Sequence, residues 1–400
     1  IKARAEKNEM KLPLGLDGSQ PKFSKGNMLT GRINGIVHID LIRFIQTAYS
    51  QYMSSETLSL NEVSNELLGE RKNDFDIFAH LKNKKENWGE FYEYCLQDSV
   101  LTFKLFNKIW PDLLEFTRIM QEPTFSVSRN GMSSNVEDYI IHNLNKFNEI
   151  PEKRPGYDEI QERRRREKYE GAFVFQPTPG LYENICIFDF TSMHASIIVS
   201  YNLSKSTLLE KKEKGCIESP EFELNGEKRK FYFTKESGFF SSLLEEIVSL
   251  RKKYKKELNE KPDVIKKARS NAFKLLANAY YGYLGFFGAR YYSIESAATT
   301  LAFVRHFNKW TIEKVKEKGY KVILGDTDSV GFAVDKKTKE ETRQFLKKLN
   351  SELPGIMELD LEGFYKRGIW VTKRTGELGA KKKYALLSED NKIKIRGFET

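Results

Sequence analysis

The sequence predicts an α+β protein of two or three domains. With 400 residues, of which 40% are hydrophobic and 13% aromatic, the chain is long and apolar enough for more than one core. Short β-rich runs occur at 184–189 and 321–334. Amphipathic helical segments occur between and before them, most clearly at 87–106 and 242–281.

Two of the β runs end in acidic residues. In 321–334, two apolar runs flank a tight turn with Asp326 and Asp328, which predicts a hairpin with acids at its tip. The run 184–189 ends in Asp189. Turn aspartates often serve only to cap their own backbone, but a carboxylate beside a core is costly without a positive partner. Divalent cations bind through oxygen, and Mg²⁺ pairs held by shared carboxylates serve displacement at phosphorus.

The segment 242–281 predicts two antiparallel helices with a break at Pro262. Arg251 and Lys255 are four residues apart on the first helix. Three residues form one stripe on the second helix: Lys274, Asn278 and Tyr281. A basic hairpin is often only a solvated surface, and that interpretation stays open. Because Lys274 lies within an apolar run, however, a buried or ligand-facing role is favoured for it.

The charge balance suits a polyanionic partner. The chain has 66 Lys and Arg against 56 Asp and Glu, a net charge of +10, which favours nucleic acid, although a basic cytosolic protein without such a partner would have a similar composition. Three scattered cysteines lack metal-ligand spacing, and no apolar run of about 18 residues or targeting peptide occurs. We therefore expect a cytoplasmic, nucleoid-associated protein without membrane contact. Because residue 1 is Ile rather than Met, we also expect a fragment or processed product.

The N-terminal part carries further acids beside apolar helices. Asp40 directly precedes a helical segment, which predicts a helix cap rather than a catalytic acid. Helical spacing in 87–106 places five apolar residues on one face: Tyr92, Leu96, Val100, Phe103 and Phe106. Tyr94 and Asp98, four residues apart, lie together on another face.

Three segments resemble the motifs of the family B DNA polymerases. DFTSMHASII at 189–198 is similar to motif A, KLLANAYYG at 274–282 to motif B, and LGDTDS at 324–329 to motif C. Their order and intervals fit as well, and the archaeal branch is the most similar over nearly the whole chain. The resemblance implies an RRM-like palm with inserted helical-hairpin fingers, preceded by part of an RNase H-like exonuclease domain.

The resemblance also implies the active-site residues. Asp189 and Asp328 would bind two Mg²⁺ ions, the backbone carbonyl of Phe190 would complete the ligand set, and Asp326 would be an auxiliary catalytic acid. Six positions would bind the incoming nucleotide: Arg251, Lys255, Lys274, Asn278, Tyr281 and His194.

His194 is the most consequential departure from the family pattern. The family carries Tyr at this position, where the ring lies beneath the incoming sugar and excludes a 2′-OH, and Ala195 replaces the usual Pro. Imidazole is smaller than phenol and both donates and accepts hydrogen bonds. It either leaves room for a 2′-OH or acts as a different gate of adequate bulk, and both interpretations stay open.

DNA contacts are implied at four positions. Tyr169 and Gly171 match the family's Tyr-x-Gly-Gly segment, with Ala172 in place of the second Gly, and they follow a basic block at 162–168. Lys382 and Tyr384 match the Lys-x-Tyr motif that holds the primer terminus.

Tyr94 and Asp98 resemble a remnant of the third exonuclease motif. A proofreading site needs several carboxylates around two metals, and the family's first two exonuclease motifs lie upstream of residue 1. We therefore expect no proofreading. The implied domains are 1–110, the C-terminal part of the exonuclease domain; 111–172, a helical connector; 173–237, the first part of the palm; 238–284, the fingers; and 285–400, the second part of the palm, without a thumb.

Three functions fit these features. The first is DNA synthesis from dNTPs on primer–template DNA. The second is a binding-only or split subunit, with the thumb and proofreading supplied by a second polypeptide. The third is a nucleotidyl cyclase, against which the long basic hairpin and the residues Lys382 and Tyr384 argue. Primer extension distinguishes the first function from the second.

Overall fold

A computed structural model describes residues 2–25, 29–53, 55, 57–72, 88–165, 169–224, 226–334, 338–373 and 376–397. The chain divides into two compact units. The first consists of residues 1–142 and 253–275, and the second of residues 143–252 and 276–400. Among the described residues, no helix has both the length and the apolar character needed to cross a bilayer.

The first unit is mainly helical. Its elements are α1 (Lys2–Lys7), β1 (Lys22–Lys25), β2 (Leu29–Arg32), α2 (Leu41–Ala48), α3 (Leu60–Leu68), α4 (Trp88–Met120), α5 (Thr124–Val127) and most of α6 (Met132–Asn143). The predicted cap is confirmed, since the Asp40 carboxylate accepts a hydrogen bond from the Arg43 N–H at 3.1 Å. Helices α2 and α3 both pack on α4.

The long helix α4 carries two apolar stripes. The stripe that sequence spacing singled out is exposed, with Tyr92 63% and Leu96 65% accessible. The buried stripe consists of Leu101, Leu105, Ile109 and Leu113. Periodicity identified the helix correctly, but it does not decide which of two apolar stripes faces the neighbouring helices.

Helices α9 (Phe239–Glu260) and α10 (Val264–Leu284) confirm the predicted helical hairpin. The second helix begins after Pro262 because Asp263 caps it, accepting a hydrogen bond from the Lys266 N–H at 2.7 Å. Near the tip, the rings of Tyr254 and Phe273 stack with centroids 5.9 Å apart. The outer part of the hairpin belongs to the first unit and its base to the second.

The second unit contains a six-stranded antiparallel sheet. Its strands are β3 (Gly180–Phe190), β9 (Lys321–Asp326), β10 (Ser329–Ala333), β11 (Leu359–Thr372), β12 (Gly379–Ser388) and β13 (Ile393–Arg396), in the order β13-β12-β11-β3-β10-β9. The short strands β4 (Leu208–Leu209), β5 (Ile217–Glu218), β6 (Phe222–Leu224), β7 (Glu227–Arg229) and β8 (Tyr232–Phe233) form two smaller sheets. The helices of this unit, besides the base of the hairpin, are α7 (Tyr157–Arg165), α8 (Met193–Ser200), α11 (Ile294–Glu317) and α12 (Lys339–Glu352).

Helices α11 and α12 cover one face of the large sheet, and α8 packs on α11. Phe188 of β3 meets Phe332 of β10 edge to face, with ring centroids 5.0 Å apart, and both side chains are fully buried. Phe345 of α12 packs on the same pair. This core fixes β3 and β10 side by side, directly below the ends of the strands that carry the acids.

Candidate active site

The predicted acids meet at one end of two neighbouring strands. Strand register places Ser329 opposite both Asp189 and Asp326, so the end of β3 lies beside the β9–β10 hairpin. The Phe190 N–H donates a hydrogen bond to the carbonyl oxygen of Asp328 at 2.9 Å. The hairpin with acids at its tip is therefore confirmed, and its acids lie next to Asp189.

Burial and mutual repulsion make this group of acids electrostatically unfavourable without a cation. Burial, and next the charge of Asp328, raise the pKa of Asp189 to about 7. Burial also raises the pKa of Asp328, and the charges of Asp326 and Glu362 add to that effect. Both carboxylates would therefore gain from a bound positive charge.

Two more acids lie at the same place. Asp360 of β11 is directly opposite Asp189 in register and accepts a hydrogen bond from the Thr191 hydroxyl at 3.0 Å. Glu362 lies at a register shift of β11, where it accepts a hydrogen bond from the Tyr365 hydroxyl at 3.2 Å and pairs with Lys394. Both acids alternate with apolar residues in the sequence, and this signal could have found them.

The donor set fits Mg²⁺. No group of three or more His, Cys, Asp or Glu side chains in the described ranges is arranged to hold a metal ion by itself. Mg²⁺, however, is usually held by one or two carboxylates together with substrate phosphates, rather than by a complete protein cage. Asp189 and Asp328, half-buried near each other and mutually repelling, supply oxygen donors of that kind.

The Lys382 side chain makes an ion pair with a catalytic candidate. Its Nζ lies 3.1 Å from Oδ1 of Asp326, with the lysine side chain 59% exposed. Tyr384 stacks on Trp370 with ring centroids 5.5 Å apart, and burial raises its pKa to about 12. Both predicted primer-binding residues thus lie on the sheet beside the acids.

His194 and Tyr281 form an aromatic pair next to these strands. Their ring centroids are 4.6 Å apart, and the Tyr281 hydroxyl lies 3.3 Å from that of Tyr169. Burial lowers the pKa of His194 to about 4, so the imidazole is neutral at physiological pH. The structure therefore joins Tyr169, predicted from the DNA-binding segment, to the predicted nucleotide pocket.

Three comparisons place this geometry among known proteins. A family model described as DNA polymerase family B matches residues 123–400. The chain is 35% identical over 410 residues to DNA polymerase 1 of Pyrococcus abyssi (strain GE5 / Orsay), with 99% of this chain and 50% of that protein covered. It is 34% identical to the DNA polymerase of Thermococcus gorgonarius, with 100% and 51% covered.

The chain belongs to DNA polymerase family B. The solved structure of the family B DNA polymerase from the hyperthermophilic archaeon Pyrobaculum calidifontis is similar, with a TM-score of 0.73 and 27% identity over 99% of this chain and 50% of that one. The chain thus spans about half the length of the curated relatives it matches.

The predicted nucleotide-binding residues of the helical hairpin α9–α10 differ from one another in their surroundings. In the second unit, the Arg251 guanidinium donates a hydrogen bond to the hydroxyl of Ser192, in the motif A turn. In the first unit, the Lys274 ammonium lies 4.1 Å from the centroid of the Tyr52 ring. Two further residues of the predicted set, Lys255 and Asn278, are exposed.

The segment that resembles the third exonuclease motif is contacted by a lysine from outside it, which sequence reasoning missed. Lys72 Nζ donates to the Tyr94 hydroxyl at 2.6 Å and to Asp98 Oδ2 at 2.9 Å. Tyr94 and Asp98 therefore lie together, as predicted from their spacing, and the aspartate is neutralised. Lys72 gave no signal in the sequence, because it is 26 residues away from Asp98.

The basic block at 162–168 is partly structural. The Arg163 guanidinium donates to the carbonyl oxygens of Phe287 and Ala289 at 3.1 and 2.7 Å, and its side chain is only 9% exposed. Residues 166–168 lie outside the described residues. Gly171 is exposed, and its carbonyl accepts a hydrogen bond from Arg305 at 3.0 Å. Arg163 thus anchors α7 instead of offering a free DNA contact.

Proposed function

We propose that this chain catalyses template-directed DNA synthesis, joining dNTPs to the 3′-OH of a primer. The observation that carries the proposal is the pair of repelling, half-buried carboxylates of a family B chain, Asp189 at the end of β3 and Asp328 in the adjacent β9–β10 turn. Primer–template DNA and dNTPs would be the substrates. The net charge of +10 suits both of these polyanions.

In this proposal Asp189 and Asp328 hold two Mg²⁺ ions, with the backbone carbonyl of Phe190 as a further ligand. When bound, the ions would lower the pKa of the primer hydroxyl and stabilise the leaving pyrophosphate. Asp326 lies beside them as an auxiliary acid, and its ion pair with Lys382 limits its negative charge.

The basic side chains of the helical hairpin α9–α10 would bind the triphosphate of the incoming nucleotide. Phosphoryl transfer is catalysed mainly by positioning and by neutralising charge, which requires fixed cations near the phosphates. Arg251 is supported by its contact with the motif A turn at Ser192. The other proposed phosphate ligands are Lys255, Lys274 and Asn278. Tyr281 and His194 would line the pocket for the base pair and sugar.

The domain assignment is part of the proposal. Residues 173–237 and 285–400 would form an RRM-like palm around the antiparallel sheet, and 238–284 the fingers. Residues 1–110 would belong to an RNase H-like exonuclease domain, and 111–172 would be a connector. DNA would contact the palm at four residues: Tyr169, Gly171, Lys382 and Tyr384.

For the exonuclease motif we propose that this polypeptide does not proofread. Asp98 is held by Lys72 in an ion pair, with Nζ 2.8 Å from its Oδ1. Among the described residues, Asp98 is the only acid that we assign to this motif, and one ion-paired carboxylate does not hold the metal pair that hydrolysis of a phosphodiester requires. Removal of a mismatched 3′ nucleotide by the purified chain would contradict this.

Primer extension with Mg²⁺ tests the main proposal. The wild type should extend a primer, and Asp328→Asn should lose at least about a thousandfold in rate, because a metal-binding charge is removed. The matched control is Asp158→Asn, an exposed acid in the first turn of α7, which should extend normally. Near-normal extension by Asp328→Asn would overturn the assignment. DNA binding without extension by the wild type would favour a binding-only role.

A further inference from the structure

Asn308, on helix α11, lies directly behind the turn that carries the motif C acids. Its side chain is fully buried, at 0% exposure. The Nδ2 group donates to the carbonyl oxygen of Thr327 at 3.1 Å and to that of Ser329 at 3.4 Å. These two residues flank Asp328, so one amide group holds the backbone on both sides of a proposed metal ligand.

The direction of this contact follows from the chemistry of its partners. Both partners are carbonyl oxygens, which only accept, so the amide must present its NH₂ group to them. The other amide atom, Oδ1, has no hydrogen-bond partner in the described part of the chain. A buried acceptor without a partner is unfavourable. The Oδ1 atom of Asn308 therefore contributes no stabilising hydrogen bond among the described residues. The hydrogen bonds that its side chain makes are the two from Nδ2 to the turn.

Close packing places the β9–β10 hairpin against helix α11. At Gly325, a Cβ atom would lie 2.9 Å from Cβ of Phe175 and 3.0 Å from Cδ1 of Ile312, which is too near on both sides. A residue with a side chain at this position would push the strand away from α11. Glycine thus permits the approach that puts the Asn308 amide within hydrogen-bonding distance of the turn.

The turn itself needs to be held. Thr327 has φ of 54°, in the left-handed region, which is unfavourable for a β-branched residue. Its N–H donates to the carbonyl of Phe173 at 3.1 Å, and its own carbonyl accepts from Asn308. Such a conformation persists only where surrounding contacts determine it. The Asn308 amide supplies one of those contacts, at the peptide that joins Thr327 to Asp328.

We propose that Asn308 is a positioning residue for metal binding: it fixes the Asp328 carboxylate by holding the carbonyls of Thr327 and Ser329. The proposal rests on the proposed function, since it takes Asp328 as a metal ligand. Small errors in the position of a catalytic group reduce the rate strongly, by about a hundredfold for a displacement of about 1 Å. Loss of the amide should therefore affect metal binding and turnover, and leave DNA and nucleotide affinity nearly unchanged.

The test compares Asn308→Leu with a control on the same helix. Leucine has a similar volume and removes the donor together with the unpartnered Oδ1. The control is Thr311→Val, a site that is also fully buried but whose hydroxyl donates only to its own helix, to the Phe307 carbonyl at 2.8 Å. Asn308→Ala is a second variant that introduces no bulk and is measured if the leucine variant does not fold.

Binding of Mn²⁺ by electron paramagnetic resonance, without DNA or nucleotide, is the readout that does not depend on activity. For Asn308→Leu we expect Mn²⁺ affinity about tenfold weaker and kcat about 10- to 100-fold lower. KM for dNTP and Kd for DNA should stay within about twofold of the wild type, and Thr311→Val should match the wild type in all four measurements.

Unchanged Mn²⁺ affinity and kcat in a folded Asn308 variant would overturn the proposal. Equal losses in Thr311→Val would overturn it too, because they would indicate a general packing effect on α11. If Asp328→Asn extends primers normally, the proposed function fails. Mn²⁺ affinity would then still report, independently, whether Asn308 positions the carboxylate.

Discussion

Neutralising Asp189 should stabilise the metal-free protein while abolishing primer extension. In the absence of metal, burial and the charge of Asp328 raise the pKa of Asp189 to about 7, from about 3.9 in an unfolded chain. Below about pH 4 the carboxyl group is protonated in both states and carries no penalty. As the pH rises towards 7, the unfolded chain releases this proton and the folded chain retains it. The free energy of unfolding therefore falls across this range and stays lower above it.

The size of the effect follows from the shift. About three pKa units correspond to about 4 kcal/mol at most. Asp189 is half-buried, so solvent screening reduces this value, and we expect Asp189→Asn to gain about 1–3 kcal/mol above neutral pH. For a folding unit of about 150–250 residues this is an increase in Tm of about 2–12 °C.

Thermal unfolding of chelator-treated protein at about pH 4.5 and about pH 8 measures this difference. The Tm gain of Asp189→Asn over the wild type should be larger at the higher pH, and Mg²⁺ should stabilise the wild type more than the variant. Glu313→Gln is the control, because this exposed carboxylate of α11 pairs only with Lys316, at 2.8 Å, among the ion pairs of the described residues. A variant that is equally or less stable than the wild type at about pH 8 would refute the reasoning.

Three further predictions concern the hairpin and the sugar pocket. Arg251→Ala should raise KM for dNTP or lower kcat in steady-state primer extension. The control Lys266→Ala should change little, because the Lys266 ammonium is already in a 3.0 Å ion pair with Glu257. Equal effects of the two substitutions would favour a helical hairpin that is only a solvated surface. His194→Tyr should raise the ratio of kcat/KM for dNTP over rNTP by up to about a hundredfold, and an unchanged ratio would mean that the neutral imidazole is already an adequate gate. Arg269→Met should reduce the free energy of unfolding by about 1–3 kcal/mol, because the Glu115 side chain, which is 3% exposed, loses its partner at 2.6 Å and keeps only Arg118, at 2.9 Å, among the ion pairs of the described residues. Denaturant unfolding checks this, and a loss below about 1 kcal/mol would mean that the pair behaves as a surface ion pair.

The sequence predicted the acids well because their signal is local. A hairpin needs only two β runs and a turn, and a strand that ends in an acid is visible in a few residues. The hairpin with Asp326 and Asp328, and the strand that ends at Asp189, were confirmed for this reason. The helical hairpin was also confirmed, since amphipathic spacing and a proline break are likewise local.

Contacts between distant segments could not be predicted in the same way. The ion pair of Lys382 with Asp326 and that of Lys72 with Asp98 depend on strand register and tertiary packing. Asn308 gave no signal, because a single amide in an apolar helix is indistinguishable from a tolerated polar residue. Side-chain partners of this kind are decided by the fold, and single-sequence patterns do not encode them.

The charges at the end of the sheet explain why the acids and the cations that we propose to bind phosphate would belong to one site. The charge of Asp328 disfavours ionisation of Asp189, the charge of Asp326 disfavours ionisation of Asp328, and Glu362 disfavours both. Phosphates that approach such a surface are repelled unless cations first neutralise it. Lys382 pairs with Asp326 and Lys394 with Glu362, and these lysines offset the repulsion only in part, since the pKa values of Asp328 and Asp189 stay raised. A divalent cation meets both requirements at once, because it removes the repulsion between the carboxylates and attracts the phosphates. The same argument makes the geometry of the turn important for our proposal, since the two proposed cations would share few protein ligands and each ligand would have to be fixed in advance.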